Sequence, residues 1–214
     1  MVDWVSISAL ATAGGTLVLA AATFASVRSA NRASRTAERA LLAGLRPVLV
    51  PSRLQDPEQK ILWADRHWTK LPGGMAGVEL ADDTIYLSLP LRNVGAGLAV
   101  IQGWWASPVW LDSSRAHAEP HEFRRQSRDL YVPPGDFGFW QGAFRDRGEA
   151  GFDAVEKAIV TRERFTVDLL YTDHEGGQRT ISRFAMIPRD GAEGWVTSVT
   201  RHWNLDRPDP RNVD

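Results

Sequence analysis

The chain of 214 residues has no cysteine, so disulfides, thiolate nucleophiles and cysteine metal sites are all excluded. It has no Asn-x-Ser/Thr acceptor for N-glycosylation. Neither sign of charge is in excess: 25 Lys and Arg face 26 Asp and Glu, for a net charge of −1. The basic surplus of a general nucleic-acid binder is therefore missing. Gly-Lys-Ser/Thr does not occur, which removes the phosphate loop, and there is no Gly-x-Ser-x-Gly elbow. Gly95-Ala-Gly97 lacks the third glycine of a dinucleotide fingerprint and leads into strand-like sequence. His121-Glu122 begins as a zinc-protease motif begins, but Arg125 stands where the second histidine belongs. No internal repeat divides the chain.

What is present is a composition suited to folding, 43% hydrophobic and 24% charged, with nine Trp. Residues 4–27 contain no charged side chain. At about 1.5 Å per residue that run crosses a hydrocarbon core of roughly 30 Å as a helix. A transmembrane anchor over residues 1–27 is expected, weighed against a cleaved signal peptide and a buried core helix. No Lys or Arg precedes the run, unlike a signal peptide. Ser6, Ser8, Thr12, Thr16, Thr23 and Ser26 dilute it, at a cost reduced when hydroxyls bond back to the preceding turn. Trp4 sits where an interfacial aromatic belongs.

Arg28, Arg32, Arg35, Arg39 and Arg46 follow, against the single acid Glu38. The positive-inside bias then places the C-terminal domain in the cytoplasm, on a single pass through the inner membrane. Residues 28–46 are rich in Ala, Arg and Leu and read as a juxtamembrane extension of the same rod, ended by Pro47. Its arginines fall on one stripe. Ala30, Ala33, Ser34, Ala37, Leu41 and Gly44 lie opposite. Three partners fit this segment: the protein's own domain against the small face, anionic headgroups at Arg28 and Arg32, or a second copy through the small face.

Residues 47–204 read as the folded domain and 205–214 as a polar tail. Pro47–Pro51 is a short edge strand. Residues 52–83 are turn-rich, a loop or weak hairpin. Residues 84–92 alternate with period two, the pattern of a half-buried strand. The turn Asn93–Gly97 follows, then a second strand over 98–110, so the two read as a hairpin or adjacent pair. Residues 111–128 read as a charged loop and 131–135 as a turn. An aromatic strand spans 136–144 and a short helix 151–161. Strands over 163–172 and 178–187 flank a hairpin loop at 173–177, and a last strand carries Trp195, Val199 and Trp203. The expected class is mainly β: an antiparallel sandwich, immunoglobulin-like in architecture, behind the helix.

The stretch 91–105, with Leu91, Asn93, Gly95, Gly97 and Ala99, resembles a pattern L-x-N-x-G-x-G-x-A before an apolar strand. It occurs in uncharacterised bacterial single-pass membrane proteins with an N-terminal helix and a small β-rich domain. The resemblance implies an anchored sandwich and brings no established activity; these residues read as structural.

Candidates for chemistry are sparse. His117 and His121 with Glu122 have ligand chemistry, but Pro120 breaks a helical pair and no third ligand is evident. His174 beside Asp173 and Glu175 reads as a hairpin tip, and Asp82-Asp83 as a turn. His202 reads as exposed or as a satisfied partner, and His67 offers no constellation. Asp168 lies on the polar face of its strand near Arg164 in the period-two pattern, and a cross-strand ion pair is expected of it over general acid catalysis. Trp104, Trp105, Trp110 and Trp140 read as core, or else as the wall of a groove for a peptide, glycan or lipid. No catalytic, cofactor-binding or metal residue is assigned. The expected function is a non-enzymatic module binding an unknown protein partner at the membrane. The alternatives are a small-molecule or lipid sensor with an aromatic groove, and a metal-dependent hydrolase.

Overall fold

The structure is a computed structural model that describes residues 4–208 and 211, without the side chains of 4–11 and of Ala43. The chain divides into two compact units, one ending at Gly44 and the other starting at Leu45. The first is a single helix, α1, Trp4–Gly44, unbroken through the apolar run and the arginine stripe. Thr16 and Thr23 donate to the carbonyls of Thr12 and Leu19 at 2.8 Å, as expected of hydroxyls in an apolar helix. Its described residues from Thr12 to Leu42 are all exposed, Leu17 by 72% and Phe24 by 69%. Among the described residues, no helix is long and apolar enough to cross a membrane. The Trp4, Ser6, Ser8 and Ala11 side chains fall outside the described residues. The helix ends before Arg46, which instead donates to Asp206 at 2.9 and 2.5 Å.

The second unit is antiparallel. Its strands are β1 (Leu49–Pro51), β2 (Gln59–Leu62), β3 (Trp68–Leu71), β4 (Met75–Ala81), β5 (Thr84–Asn93), β6 (Ala99–Ser107), β7 (Arg124–Val132), β8 (Phe137–Phe144), β9 (Phe165–Thr172), β10 (Thr180–Pro188) and β11 (Trp195–Asn204). A helix, α2, covers Phe152–Val160. Nine strands form one curled sheet, in the order β1-β5-β4-β11-β10-β9-β6-β7, with β8 on the other side of β5; β2 and β3 form a separate hairpin. A mainly antiparallel β domain after an N-terminal helix is thus what the sequence led us to expect.

The core joins Leu87, Leu89 and Leu91 of β5 and Trp140 and Phe144 of β8 to Val167 and Leu169 of β9 and Phe184 of β10. Phe152 and Val155 seat α2 on it. The expectation of a half-buried strand at 84–92 needs correction, because both faces of β5 are covered. The β2–β3 hairpin packs Ile61, Trp63 and Leu71 on Tyr86, on the face opposite the main core.

The expected pairing of β5 with β6 is also corrected: β5 bonds to β1, β4 and β8, and β6 to β7 and β9. The Asn93–Gly97 turn is a chain crossing and not a hairpin. Asn93, fully buried, donates from Nδ2 to the Gly97 and Val132 carbonyls at 2.7 and 2.9 Å. Its Oδ1 accepts from the Val48 and Gly95 amides at 3.1 and 3.0 Å. A Cβ on Gly95 or Gly97 would overlap the main-chain carbonyl of Arg46 or Leu45. The glycines let the incoming chain cross closely, and Asn93 supplies the polar groups that the crossing buries.

Candidate functional site

The curled sheet stops at β7 on one side and at β8 on the other. These terminal strands lie beside each other without a ladder, joined by side chains of a bulge in β7. Ile101 of β6 pairs with Leu130, but Gly103 pairs with Arg125, so residues 126–129 stand out of register. Gln126 Nε2 donates to the Gln141 carbonyl at 2.9 Å, and Arg128 donates to Gln141 Oε1 at 3.2 Å. Gln141 Nε2 in turn reaches the Leu62 carbonyl at 3.5 Å. One buried glutamine of β8 therefore holds both the bulge and the β2–β3 hairpin.

Between bulge and hairpin lies a cleft of about 420 Å³, the size of a small-molecule site. Trp63 and Trp104 are among its lining residues. Gly142 lies in its lining too, and a Cβ there would run into the indoles of Trp140 and Trp104.

The cleft's charge is lopsided. Arg66, Arg124, Arg125, Arg128 and Arg145 line it, and no carboxylate does. Two of them are neutralised from behind: Arg124 contacts Glu149, and Arg145 contacts Asp65. Arg124 is the most enclosed, its guanidinium 4.9 Å from the Trp104 ring centroid and 4.5 Å from that of Phe144. Burial lowers its pKa, yet a guanidinium stays charged at any physiological pH. Among the described residues, Arg66 and Arg125 have no side-chain partner and Arg128 has only Gln141. Three positive charges are left without a counter-charge around a partly aromatic cleft. Two lining residues also carry buried polar atoms lacking a partner among the described residues, Trp63 Nε1 and Gln126 Oε1. A second cleft of about 500 Å³ flanks Arg125 and Gln126 on the other side, where Asp129 joins Arg179 and His121 in a mixed lining.

The residues singled out in the sequence are scattered. His117 turns Nδ1 to the Ala118 carbonyl at 2.8 Å and meets Trp203 edge-on, while Glu122 accepts from the Glu119 amide at 2.7 Å. Among the described residues, no three His, Cys, Asp or Glu side chains group as metal ligands would. His174 is exposed on its turn, and Asp82 and Asp83 form a left-handed turn between β4 and β5. His67 lies 2.8 Å from Glu79 and stacks on Tyr86. His202 Nδ1 is 2.6 Å from Ser182 Oγ, and Ser182 contacts Tyr171 at 2.8 Å. Burial lowers the His202 pKa, and fully buried Ser182 is closed to substrate.

Asp168 forms the expected cross-strand ion pair, with Arg183 directly opposite it on the ladder. Arg183 donates to it from Nε and Nη2, both at 2.8 Å. Of the four tryptophans, Trp104 and Trp140 belong to the core, and only Trp104 lines the cleft. The cleft's main residues, Arg124, Arg125, Gln126 and Arg128, fall where the sequence reads as a charged loop. Their signal was a run of arginines without acids in 124–128, visible but without a place to act.

No protein-family profile matches the chain, and no curated protein matches it in sequence.

Proposed function

We propose that the β domain is a non-enzymatic binding module whose ligand is an anion held in the arginine-lined cleft. The observation that carries this is the set of three arginines without a counter-charge beside two tryptophans, in a recess of ligand size. A recess of one sign concentrates opposite charge, and guanidinium forks grip carboxylates and phosphates in two-point contacts. In this reading the sensor alternative outranks a catalytic one, and the binding wall is cationic more than aromatic. The test is calorimetric titration of the full chain in detergent with inorganic phosphate and with citrate. Arg125→Gln with Arg128→Gln should weaken binding of both about tenfold or more. Equal affinity in wild type and variant would refute the reading.

The tether belongs to the same proposal. α1 anchors the module in the inner membrane with the domain in the cytoplasm, supported by the uncharged run and the arginines after it. Arg28 and Arg32 meet anionic headgroups in this reading. The sandwich, immunoglobulin-like description is the architectural part, supported by the shared core of β5 and β8 with β9 and β10. Protease access from outside intact cells would overturn the orientation. A protein-docking role is favoured by one feature: Leu62 and Trp68 stand opposite each other on the β2–β3 hairpin, 57% and 59% exposed.

A further inference from the structure

We propose that the ligand is an acidic peptide segment of another protein that also carries a bulky apolar side chain, seated across the cleft and the outer face of the β2–β3 hairpin. The inference rests on the anion-binding reading above and adds the exposed surface beside the cleft, which a small anion leaves unused. Directly opposed residues of a hairpin share a face, and so do residues two apart on one strand. The outer face is therefore Lys60 and Leu62 of β2 with Trp68 and Lys70 of β3, and all four are exposed. The inner face, with Ile61 and Leu71, is buried on Tyr86. β2 is the strand beside the cleft, because the Leu62 carbonyl accepts from Gln141 of β8 at 3.5 Å. Leu62 itself lines the cleft, so the exposed apolar pair and the cleft arginines form one surface.

The charges of this surface are not balanced from within. Lys60 and Lys70 stand directly opposite each other on the ladder, an arrangement that costs stability. Lys70 has Glu58 at 3.4 Å, but Lys60 has no carboxylate partner among the described residues. The acids nearby are already taken: Asp65 by Arg145 and Tyr86, Glu79 by His67 and Thr69, Glu149 by Arg124. Lys60, Arg66, Arg125 and Arg128 thus offer unopposed positive charge next to Leu62 and Trp68. Peptide carboxylates match the guanidinium groups, and an apolar side chain of the same peptide covers the Leu62–Trp68 pair. A strand of four residues spans about 13 Å, so an extended segment of about eight residues reaches from the hairpin face into the cleft. A lipid surface fits less well, because Arg66, Arg125 and Arg128 line a recess and not a plane.

The test is fluorescence anisotropy of the full chain in detergent with a labelled octapeptide of Asp and Glu carrying one Phe and one Leu. One control has Ser in place of the Phe and Leu, and the other has Asn and Gln in place of the acids. The first peptide should bind about tenfold more tightly than either control. Trp68→Ser should bring it down to the affinity of the all-acid control while leaving binding of inorganic phosphate unchanged. Lys60→Glu should weaken both acidic peptides about tenfold. A urea midpoint close to wild type selects the variants that keep the fold. The lipid alternative is read from nanodiscs holding the full chain, by iodide quenching of Trp68 taken as the difference from Trp68→Ser. Shielding in phosphatidylserine but not in phosphatidylcholine, with no binding of the apolar acidic peptide, assigns a membrane surface and overturns the proposal. If the Phe and Leu add nothing, or their gain survives Trp68→Ser, the proposal is overturned and phosphate binding upholds the anion reading. If neither phosphate nor any acidic peptide binds, both fall.

Discussion

Replacing Arg183 by Met should be among the most damaging single changes in the domain. Arg183 and Asp168 are both fully buried and joined by two 2.8 Å hydrogen bonds. The guanidinium also donates to the carbonyls of Asp112, Arg115 and Ala116 at 3.0–3.3 Å, and so fastens the loop after β6 to the sheet. Removing one member of a buried pair leaves the other unpaired, at a cost of about 3–5 kcal/mol. Freeing the loop carbonyls adds about 1–2 kcal/mol, since those near the surface regain water. For a domain of this size that lowers the midpoint by roughly 10–20 °C, read from near-UV circular dichroism in detergent.

The double variant Asp168→Leu, Arg183→Met removes both charges and should recover about 2 kcal/mol or more relative to the sum of the singles. pH gives a further check. Burial pushes the Asp168 carboxyl above its ordinary value, and Arg183 pulls against that push. Without Arg183 the upward push of burial is opposed only by the smaller pull of His117. A carboxyl with a folded pKa above its unfolded one contributes stability below the unfolded value and loses it as pH rises through the folded one. The deficit of Arg183→Met should therefore be smaller near pH 4 than near pH 7, within about the range where carboxyls titrate. Additive single variants, or a deficit independent of pH, would refute the argument.

Asn93→Ala removes four buried hydrogen bonds at the chain crossing and should cost about 2–4 kcal/mol, measured by urea unfolding. Gly142→Ala sets a Cβ against the Trp140 and Trp104 rings; it should cost about 1–3 kcal/mol and shift the tryptophan fluorescence. Burial works to raise the Asp65 carboxyl, but hydrogen bonds from Tyr86 and Arg145 outweigh it and hold it at about 2. Its stabilising share is present above the unfolded value of about 3.9 and is lost as pH falls through the folded one. Asp65→Asn should accordingly flatten the acid limb of an unfolding-against-pH curve.

The elements legible in the sequence were those whose own period betrays them. β5 shows a two-residue alternation, α2 sets Phe152 and Val155 at helical spacing, and β9 and β10 flank a Gly-rich hairpin turn. The misreadings are tertiary. β5 looked half-buried because Tyr86 and Ser88 are polar enough for a wet face, yet the β2–β3 hairpin covers Tyr86. β4, MAGVELA, shows weak alternation because Gly77 replaces a side chain where Ser88 approaches. The pair β5–β6 looked like a hairpin because Asn-x-Gly between apolar runs usually makes one. Here the incoming chain at 45–48 crosses over that turn, and a contact so distant in sequence leaves no local trace.

The cleft was hidden for a related reason. A bulge breaks the alternation that marks a strand, so residues 124–128 read as a charged loop although β7 begins at Arg124. The same irregularity does the positioning. In a regular ladder, Arg125 and Gln126 would point to opposite faces and Gln126 would not reach across to β8. Out of register, Gln126 binds Gln141, while Arg124 lies against Trp104 beneath the rim. The feature that defeats the pattern reading is thus the one that gathers the charges, and a deletion shows how closely the two are tied. Removing residues 127 and 128 would shorten the bulge and draw β7 toward a regular ladder with β6. It would carry Gln126 off Gln141 and remove Arg128 from the cleft, with the core residues Leu130 and Val132 kept on their original face by the even step. Anion binding should fall by more than tenfold with the near-UV spectrum retained, because the lost groups lie at the edge of the sheet and the tryptophans lie mostly within it. Undiminished binding in that deletion would show that the bulge does not build the site.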